Sequence, residues 1–348
     1  MIEENKAIRM KALGRWASSK LKNNGVSLNS ELELCIASDD ASFRKYYRAK
    51  DPEGGATGII FVDAPPQHEN NEAFIDIANL ISKQGLSAPA VLDYDLNEGF
   101  MMLSDFGNKL YLDELEAGDS SSITKLYKSA LASLSALQGI CCTNLPAYDE
   151  ELLRVEMQLF PNWFLSKQIN MTIDQDVSNL MESTFDLMVK NALEQPQVFV
   201  HRDYHSRNLM VLDQNTPGLI DFQDAVKGPF TYDLVSLLKD CYWQFPREQV
   251  VEWVKVYWKA YLLEGNLEDN LKVDFAQFLR WFDLMGMQRH LKVAGIFSRL
   301  NIRDGKSRYL NDIPLVMSYL LEVCEIYEEL GCFGKWLREE VQPRCAKI

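Results

Sequence analysis

The sequence predicts an α+β fold in two lobes, a small antiparallel-sheet N-lobe followed by a larger, mainly helical C-lobe. Three observations predict it. Short β-branched and aromatic segments, most of them bounded by turn-formers, run from Glu31 to Leu103. From Leu110 onward apolar residues recur mostly at helical spacing. One β-like interruption, Val198 to Asp221, breaks that helical part.

Taken in order, Ile8, Leu13, Trp16 and Leu21 recur at roughly helical spacing and predict an N-terminal helix. After Gly25 the texture predicts strands at Glu31 to Ala37, Phe43 to Ala49, Gly58 to Val62, Ala90 to Tyr94 and Phe100 to Leu103. Asp39-Asp40, Asp51-Pro52-Glu53-Gly54-Gly55 and Asn97-Glu98-Gly99 supply the turns. One helix, near Glu72 to Lys83, interrupts the series. Further helices are expected at Ser121 to Leu137, Glu150 to Leu165, Asp174 to Ala192, Thr231 to Cys241, Glu248 to Leu263, Phe275 to Ser298 and Asn311 to Glu329. Trp253, Trp258 and Trp281 fall at helical spacing among apolar residues and read as core. The lobes are expected to span 1–103 and 104–348, with a hinge near 103–107. A cleft between two lobes is a usual place for a ligand.

Composition narrows the function. The chain has 348 residues, 47% hydrophobic and 25% charged, which suits a globular protein. A formal net charge of −14 argues against a nucleic-acid or anionic-membrane surface. It leaves room for an anionic small substrate in a local basic pocket. No apolar run is long enough to cross a membrane. The charged start, Met1-Ile2-Glu3-Glu4-Asn5-Lys6, lacks a signal-peptide core. Seven cysteines, an odd number without a Cys-x-x-Cys pair, fit a reducing cytoplasm and neither a disulfide framework nor a structural zinc site. Oligomeric state is not legible.

The chemistry concentrates in the β-like interruption. His201-Arg202-Asp203 is followed by Asn208, an H-R-D-x-x-x-x-N spacing that suits phosphoryl transfer. An acceptor hydroxyl needs a carboxylate to orient it and take its proton, and Asp203 is that candidate. Magnesium neutralises the charge of the transferring group and takes hard oxygen ligands, which Asn208 and Asp221 supply. A hairpin between them, turning at Asp213 to Gly218, is expected to return Asp221 beside Asn208. His201 is expected to be structural. His205 is either a solvated loop histidine or a substrate contact. Asp233 sits at a helix start and is expected to buttress the loop, through Arg202 or its backbone.

With these residues in place, the chain resembles the aminoglycoside phosphotransferase and choline kinase superfamily, whose loop usually reads His-Gly-Asp-x-x-x-x-Asn. Here Arg202 stands where glycine is usual. Leu219-Ile220-Asp221-Phe222-Gln223-Asp224-Ala225 through Thr231-Tyr232-Asp233-Leu234 looks like the metal-binding strand and following helix of that superfamily. Leu103-Ser104-Asp105-Phe106-Gly107 looks like its hinge, which implies adenine contacts from the backbone near Ser104 to Phe106. The resemblance implies a protein-kinase-like fold, ATP and Mg2+.

Four stretches look like a narrower group, the bacterial anomeric kinases of N-acetylmuramic acid and N-acetylglucosamine. They are Asp40 to Arg48, Asp63-Ala64-Pro65-Pro66, Ile220-Asp221-Phe222-Gln223-Asp224, and Gln288-Arg289-His290-Leu291-Lys292 with Arg303-Asp304-Gly305-Lys306. That likeness implies an amino-sugar substrate phosphorylated at C1 in cell-wall recycling, and a sugar contact from Asp224, which otherwise caps the next segment. The third strand, Gly58 to Ala64, has no lysine for the nucleotide phosphates. Ser42 with nearby backbone amides, and Arg44, Lys45 or Arg48, are the candidates to replace it; the plain alternative is exposed strand charge. Arg289 and Lys292 belong to a cationic cluster that reads either as a pocket for a sugar carboxylate or as a solvated helix face. A phosphotransferase acting on an aminoglycoside, choline or another small alcohol, and a non-catalytic nucleotide-binding protein, are the rival readings.

Overall fold

The computed structural model describes residues 2–23, 32–38, 43–50, 56–213, 217–264 and 273–345. The expected turns at Asp39-Asp40 and Asp51 to Gly55 lie outside them. The chain divides into two compact units, 1–110 with 209–224, and 111–208 with 225–348.

The first unit holds helix α1 (Ile2–Asn23), strands β1 (Glu33–Ser38), β2 (Lys45–Lys50) and β3 (Ala56–Asp63), helix α2 (Asn71–Lys83), and strands β4 (Val91–Asp95) and β5 (Phe100–Ser104). The strands form one antiparallel sheet in the order β1-β2-β3-β5-β4. All five expected strands and the expected helix are present. Leu13, Ala17 and Leu21, four apart on α1, bury against Tyr47, Ala49, Phe61, Phe100 and Met102 of the sheet. Trp16 meets Phe61 edge-on at 6.0 Å. The alternate residues Val62, Met101 and Leu103 are buried too, so β5 reads as an unbroken apolar run. Arg9 of α1 donates to Asp63 at the end of β3 and, at 2.8 Å, to the Glu98 carbonyl. The tight β4–β5 turn needs glycine: Gly99 has φ +73°, and a Cβ there would lie 2.1 Å from the Ala64 carbonyl oxygen.

The same unit carries the expected hairpin, β7 (Leu209–Met210) paired with β8 (Gly218–Leu219), with Leu209 opposite Leu219. Leu219 N–H donates to the Ser87 carbonyl at 2.7 Å, and Phe106 packs on Gly218, where a Cβ would meet its ring at 2.6 Å.

The second unit is built on α3 (Tyr111–Ala117), α4 (Ser120–Gln138), α5 (Glu150–Met157), α6 (Gln175–Leu193), α7 (Tyr232–Leu238), α8 (Arg247–Glu264), α9 (Phe275–Asp304) and α10 (Ile313–Ile326). Strands β6 (Gln197–Val200) and β9 (Val226–Pro229) pair antiparallel inside it. Helix α9 is its axis, packed against α5, α6, α7, α8 and α10. Its middle, Phe278 and Trp281 to Gly295, is buried all round, as a central helix should be. It runs past the expected end at Ser298 and stops at Gly305, which takes the left-handed conformation (φ 68°) and returns its N–H to Asn301. The single helix expected over Glu150 to Leu165 is two pieces. α5 ends at Met157, and a wider π-type turn runs from Phe160 to Gln168, because Pro161 has no N–H to continue an α-helical ladder. Gly295 lets α9 cross that bend closely: a Cβ there would lie 2.4 Å from the Leu159 carbonyl carbon.

Candidate active site

The H-R-D loop leaves β6 and its start is held by one carboxylate. Asp233, in the first turn of α7, accepts the His201 N–H at 2.6 Å and the Arg202 N–H at 3.0 Å. The expected buttress therefore acts through the backbone. Burial pushes the Asp233 carboxyl up to about 7, against the two amide bonds that favour its charge. Further along, Asp240 accepts the Ser206 N–H at 2.9 Å, and Tyr204 donates to the Ala130 carbonyl at 2.8 Å. His201 is wholly buried, as a structural residue should be.

Arg202 adopts φ 76°, a left-handed conformation that costs a non-glycine residue roughly 1 kcal/mol or more. This explains why glycine is the usual occupant of that position in the superfamily it resembles. Here side-chain contacts offset the strain. The Arg202 guanidinium pairs with Glu156 of α5, and its carbonyl accepts from Arg289 at 2.7 Å. Glu156 also pairs with Lys292 at 2.9 Å and accepts the Tyr148 hydroxyl. Lys292 donates to the Tyr232 hydroxyl at 3.0 Å. Burial works to raise the Glu156 carboxyl, but Lys292 and Arg202 outweigh it and hold it below its ordinary value. Arg289 and Lys292 are therefore not on a solvated helix face: they are 3% and 5% exposed on the buried middle of α9.

This network surrounds Asp203, whose side chain stays 40% exposed, with Arg289 3.8 Å from Oδ1. Partial burial raises its carboxyl, yet Lys292, Arg289, His205 and Arg202 together bring it down to about 2. Asp203 is thus a carboxylate at any physiological pH. His205, only 8% exposed, is no solvated loop residue. Burial lowers its imidazole, and the His205 backbone N–H donates to the Asp203 carbonyl at 3.1 Å. The Asn208 amide nitrogen donates to the same carbonyl at 3.0 Å.

In the first unit, Asp221 follows β8 with φ 64°, and its carboxylate accepts from Gln223 at 2.9 Å. Asp224 is exposed. Arg44 is 2% exposed, pairs with Glu69 at 3.1 Å, and lies over the Phe74 ring. Burial raises the neighbouring Tyr46 phenol; Arg44 opposes the rise and Asp221 adds to it, so these groups sit together. Arg48 grips the segment after β5: it pairs with Asp105 (2.8 Å to Oδ1) and donates to the Gly107 carbonyl at 2.9 Å. Neither arginine is an ordinary exposed strand charge. The Ser104 hydroxyl accepts the Ala90 N–H at 2.8 Å, and Phe106 sits on Gly218. Ser42 lies outside the described residues.

A profile of the phosphotransferase enzyme family matches residues 33–273, a span that contains the whole loop and the hairpin. The chain belongs to the phosphotransferase enzyme family. This phosphotransferase is 44% identical to the N-acetylmuramate/N-acetylglucosamine kinase of Pseudomonas aeruginosa, over 88% of each chain. It is 37% identical to the kinase of the same name from Pseudomonas putida, over 95% of this chain and 96% of that one. Among solved structures it resembles an ADP-bound aminoglycoside phosphotransferase (TM-score 0.56, 14% identity, 88% of this chain and 97% of that one). A choline kinase from Streptococcus pneumoniae gives a TM-score of 0.57 at 14% identity, over 88% and 98%. The fold is therefore the α+β kinase-like fold.

Three contributors to the phosphotransferase loop escaped the sequence reading. Glu156 reads as a solvent-facing acid on an amphipathic helix, and nothing local links it to Lys292. Tyr148 and Asp240 are similarly silent. A signal for Glu156 was the family's missing glycine: an arginine forced to positive φ needs a fixed partner.

Proposed function

We propose that this phosphotransferase is an ATP- and magnesium-dependent kinase that phosphorylates the anomeric C1 hydroxyl of N-acetylmuramate and N-acetylglucosamine, as a cytoplasmic step of cell-wall recycling. The observation that carries the reading is the ionised, half-open Asp203, fixed on a clamped loop inside a ring of cations. The curated relatives supply the substrate class.

Asp203 orients the C1 hydroxyl and accepts its proton as the anomeric oxygen attacks the γ-phosphorus of ATP. The new O–P bond forms while the bond to the bridging oxygen of ADP breaks, and the proton leaves Asp203 for solvent. Positioning and electrostatics do most of the work, because phosphoryl transfer leaves little covalent chemistry to the protein. His205 and Asp224 contact the sugar. Arg289 and Lys292 serve the acceptor side by holding Asp203 ionised.

The residues present fit magnesium. The Asn208 amide nitrogen donates to the Asp203 carbonyl and Asp221 is a carboxylate, so each residue brings a hard oxygen of the kind magnesium takes. Among the described residues no cluster of three His, Cys, Asp or Glu forms a metal site. One carboxylate, one amide oxygen and substrate phosphates are a usual magnesium set. Held by Asn208 and Asp221, magnesium would supply neutralisation of the phosphate charge. Ser42, Arg44 and the backbone near Ser104 to Phe106 take the nucleotide. Arg48 supports it by holding Asp105.

The test is Asp203→Asn. Turnover is expected to fall by about a hundredfold to ten-thousandfold, as for loss of a general base, while ATP binding by titration calorimetry persists. Undiminished turnover removes Asp203 from its role.

A further inference from the structure

The catalytic loop carries a cation, Arg207, that no acid among the described residues holds. Arg207 is half-buried, and among the described residues it makes no hydrogen bond or ion pair. What holds it is aromatic. Its guanidinium carbon lies 3.8 Å from the centroid of the Tyr242 ring and 5.9 Å from that of Tyr309. Phe297 packs behind both rings, 6.0 Å from Tyr242 and 5.3 Å from Tyr309. Asp240 is taken by the Ser206 and Tyr242 amides, and Asp312 feels the charge of Arg207 without pairing to it.

The shelf adjoins the base. Tyr242 meets the His205 ring edge-on at 5.4 Å. His205 is 8% exposed and bonded through its backbone to Asp203, and its Nδ1 is buried with no hydrogen-bond partner among the described residues. An aromatic shelf, an unpaired guanidinium fork and an unsatisfied imidazole nitrogen therefore lie together within the second unit, beside the group that takes the acceptor's proton.

We propose that Arg207, held over Tyr242 and Tyr309, recognises the lactyl carboxylate of N-acetylmuramate, with His205 giving a hydrogen bond to the same sugar. The inference rests on the sugar-kinase reading above and adds the residue that separates its two substrates. A guanidinium stacked on a ring keeps its in-plane N–H donors for a planar carboxylate. The other loop-side cations are engaged: Arg289 with the Arg202 carbonyl, and Lys292 with Glu156 and Tyr232. N-acetylglucosamine shares the ring and the C1 hydroxyl but lacks the lactyl carboxylate, so Arg207 acts on one substrate and not the other.

The experiment measures kcat/KM for both sugars in the wild type, Arg207→Gln and Arg207→Lys, with thermal melts to confirm folding. In Arg207→Gln the ratio of N-acetylmuramate to N-acetylglucosamine activity is expected to fall about tenfold to a hundredfold, as for loss of a charge-assisted hydrogen-bonded pair. The loss should sit in KM for N-acetylmuramate, and Arg207→Lys should recover part of it. An unchanged ratio, from equal losses on both sugars or from none, overturns the role of Arg207 while leaving the kinase reading intact. A wild type inactive on both sugars overturns the kinase reading and this inference with it.

Discussion

Glu156 is a buried carboxylate shared by two cations. It is 5% exposed and pairs with Arg202 and Lys292. Glu156→Ala would strip the ion-pair partner from the buried Lys292 and the half-buried Arg202, so urea denaturation is expected to show a loss of about 3–5 kcal/mol. His290 provides a pH signature. Burial brings its imidazole down to about 3, so it stays neutral in the folded state. Between the ordinary value near 6.5 and 3, the unfolded chain binds one more proton, and stability drains as pH falls through that window. Asp233, pushed up to about 7, works in the opposite direction: its contribution is lost as pH rises from the ordinary carboxylate range to 7. Removing the histidine isolates its part. His290→Gln should gain about 2 kcal/mol on the wild type between pH 7.5 and pH 5, where both can be followed by denaturant melts. A constant difference across that range removes His290 from the account. At this scale Asp203, Asn208 and Asp221 were legible as candidates through their spacing. It did not show Glu156, because a partner 136 positions away in the chain leaves no local trace.

At the scale of elements, the strands were the most legible part. Turn-formers such as Asn97-Glu98-Gly99 bound them, and their ends fell within about two residues of the expectation. Helix α9 was legible in place but not in character. Gln288, Arg289, His290 and Lys292 look like a polar face in sequence, yet they are buried because Glu156, Tyr232, Arg202 and Lys239 receive them. The break after α5 traces to Pro161, whose effect on a helical pattern is local and easily outvoted by apolar spacing. The crossing of α9 over that break gives an element-level expectation. Gly295→Ala would place a Cβ against the Leu159 backbone, which has no flexible end to yield, and calorimetry should show a loss of about 1–3 kcal/mol. A melt equal to the wild type would mean that the two segments pass less closely.

For the whole molecule, the chain carries a formal charge of −14 but gathers Arg202, Arg207, Arg289 and Lys292 on and around one loop. Glu156 and Asp203 stand among those cations, so the charge there is paired locally and the net charge of the chain does not describe it. Among the described residues no helix is long and apolar enough to cross a membrane. The family and the loop were both legible in sequence. The acceptor class rests on the relatives, and the most direct measurement is made on it. The purified protein is incubated with ATP, magnesium and a panel of N-acetylmuramate, N-acetylglucosamine, an aminoglycoside and choline, and the product is read by phosphorus-coupled carbon NMR. The account predicts ADP release with the two amino sugars and phosphate on the anomeric carbon; turnover confined to the aminoglycoside or choline, or phosphate on another hydroxyl, would contradict it.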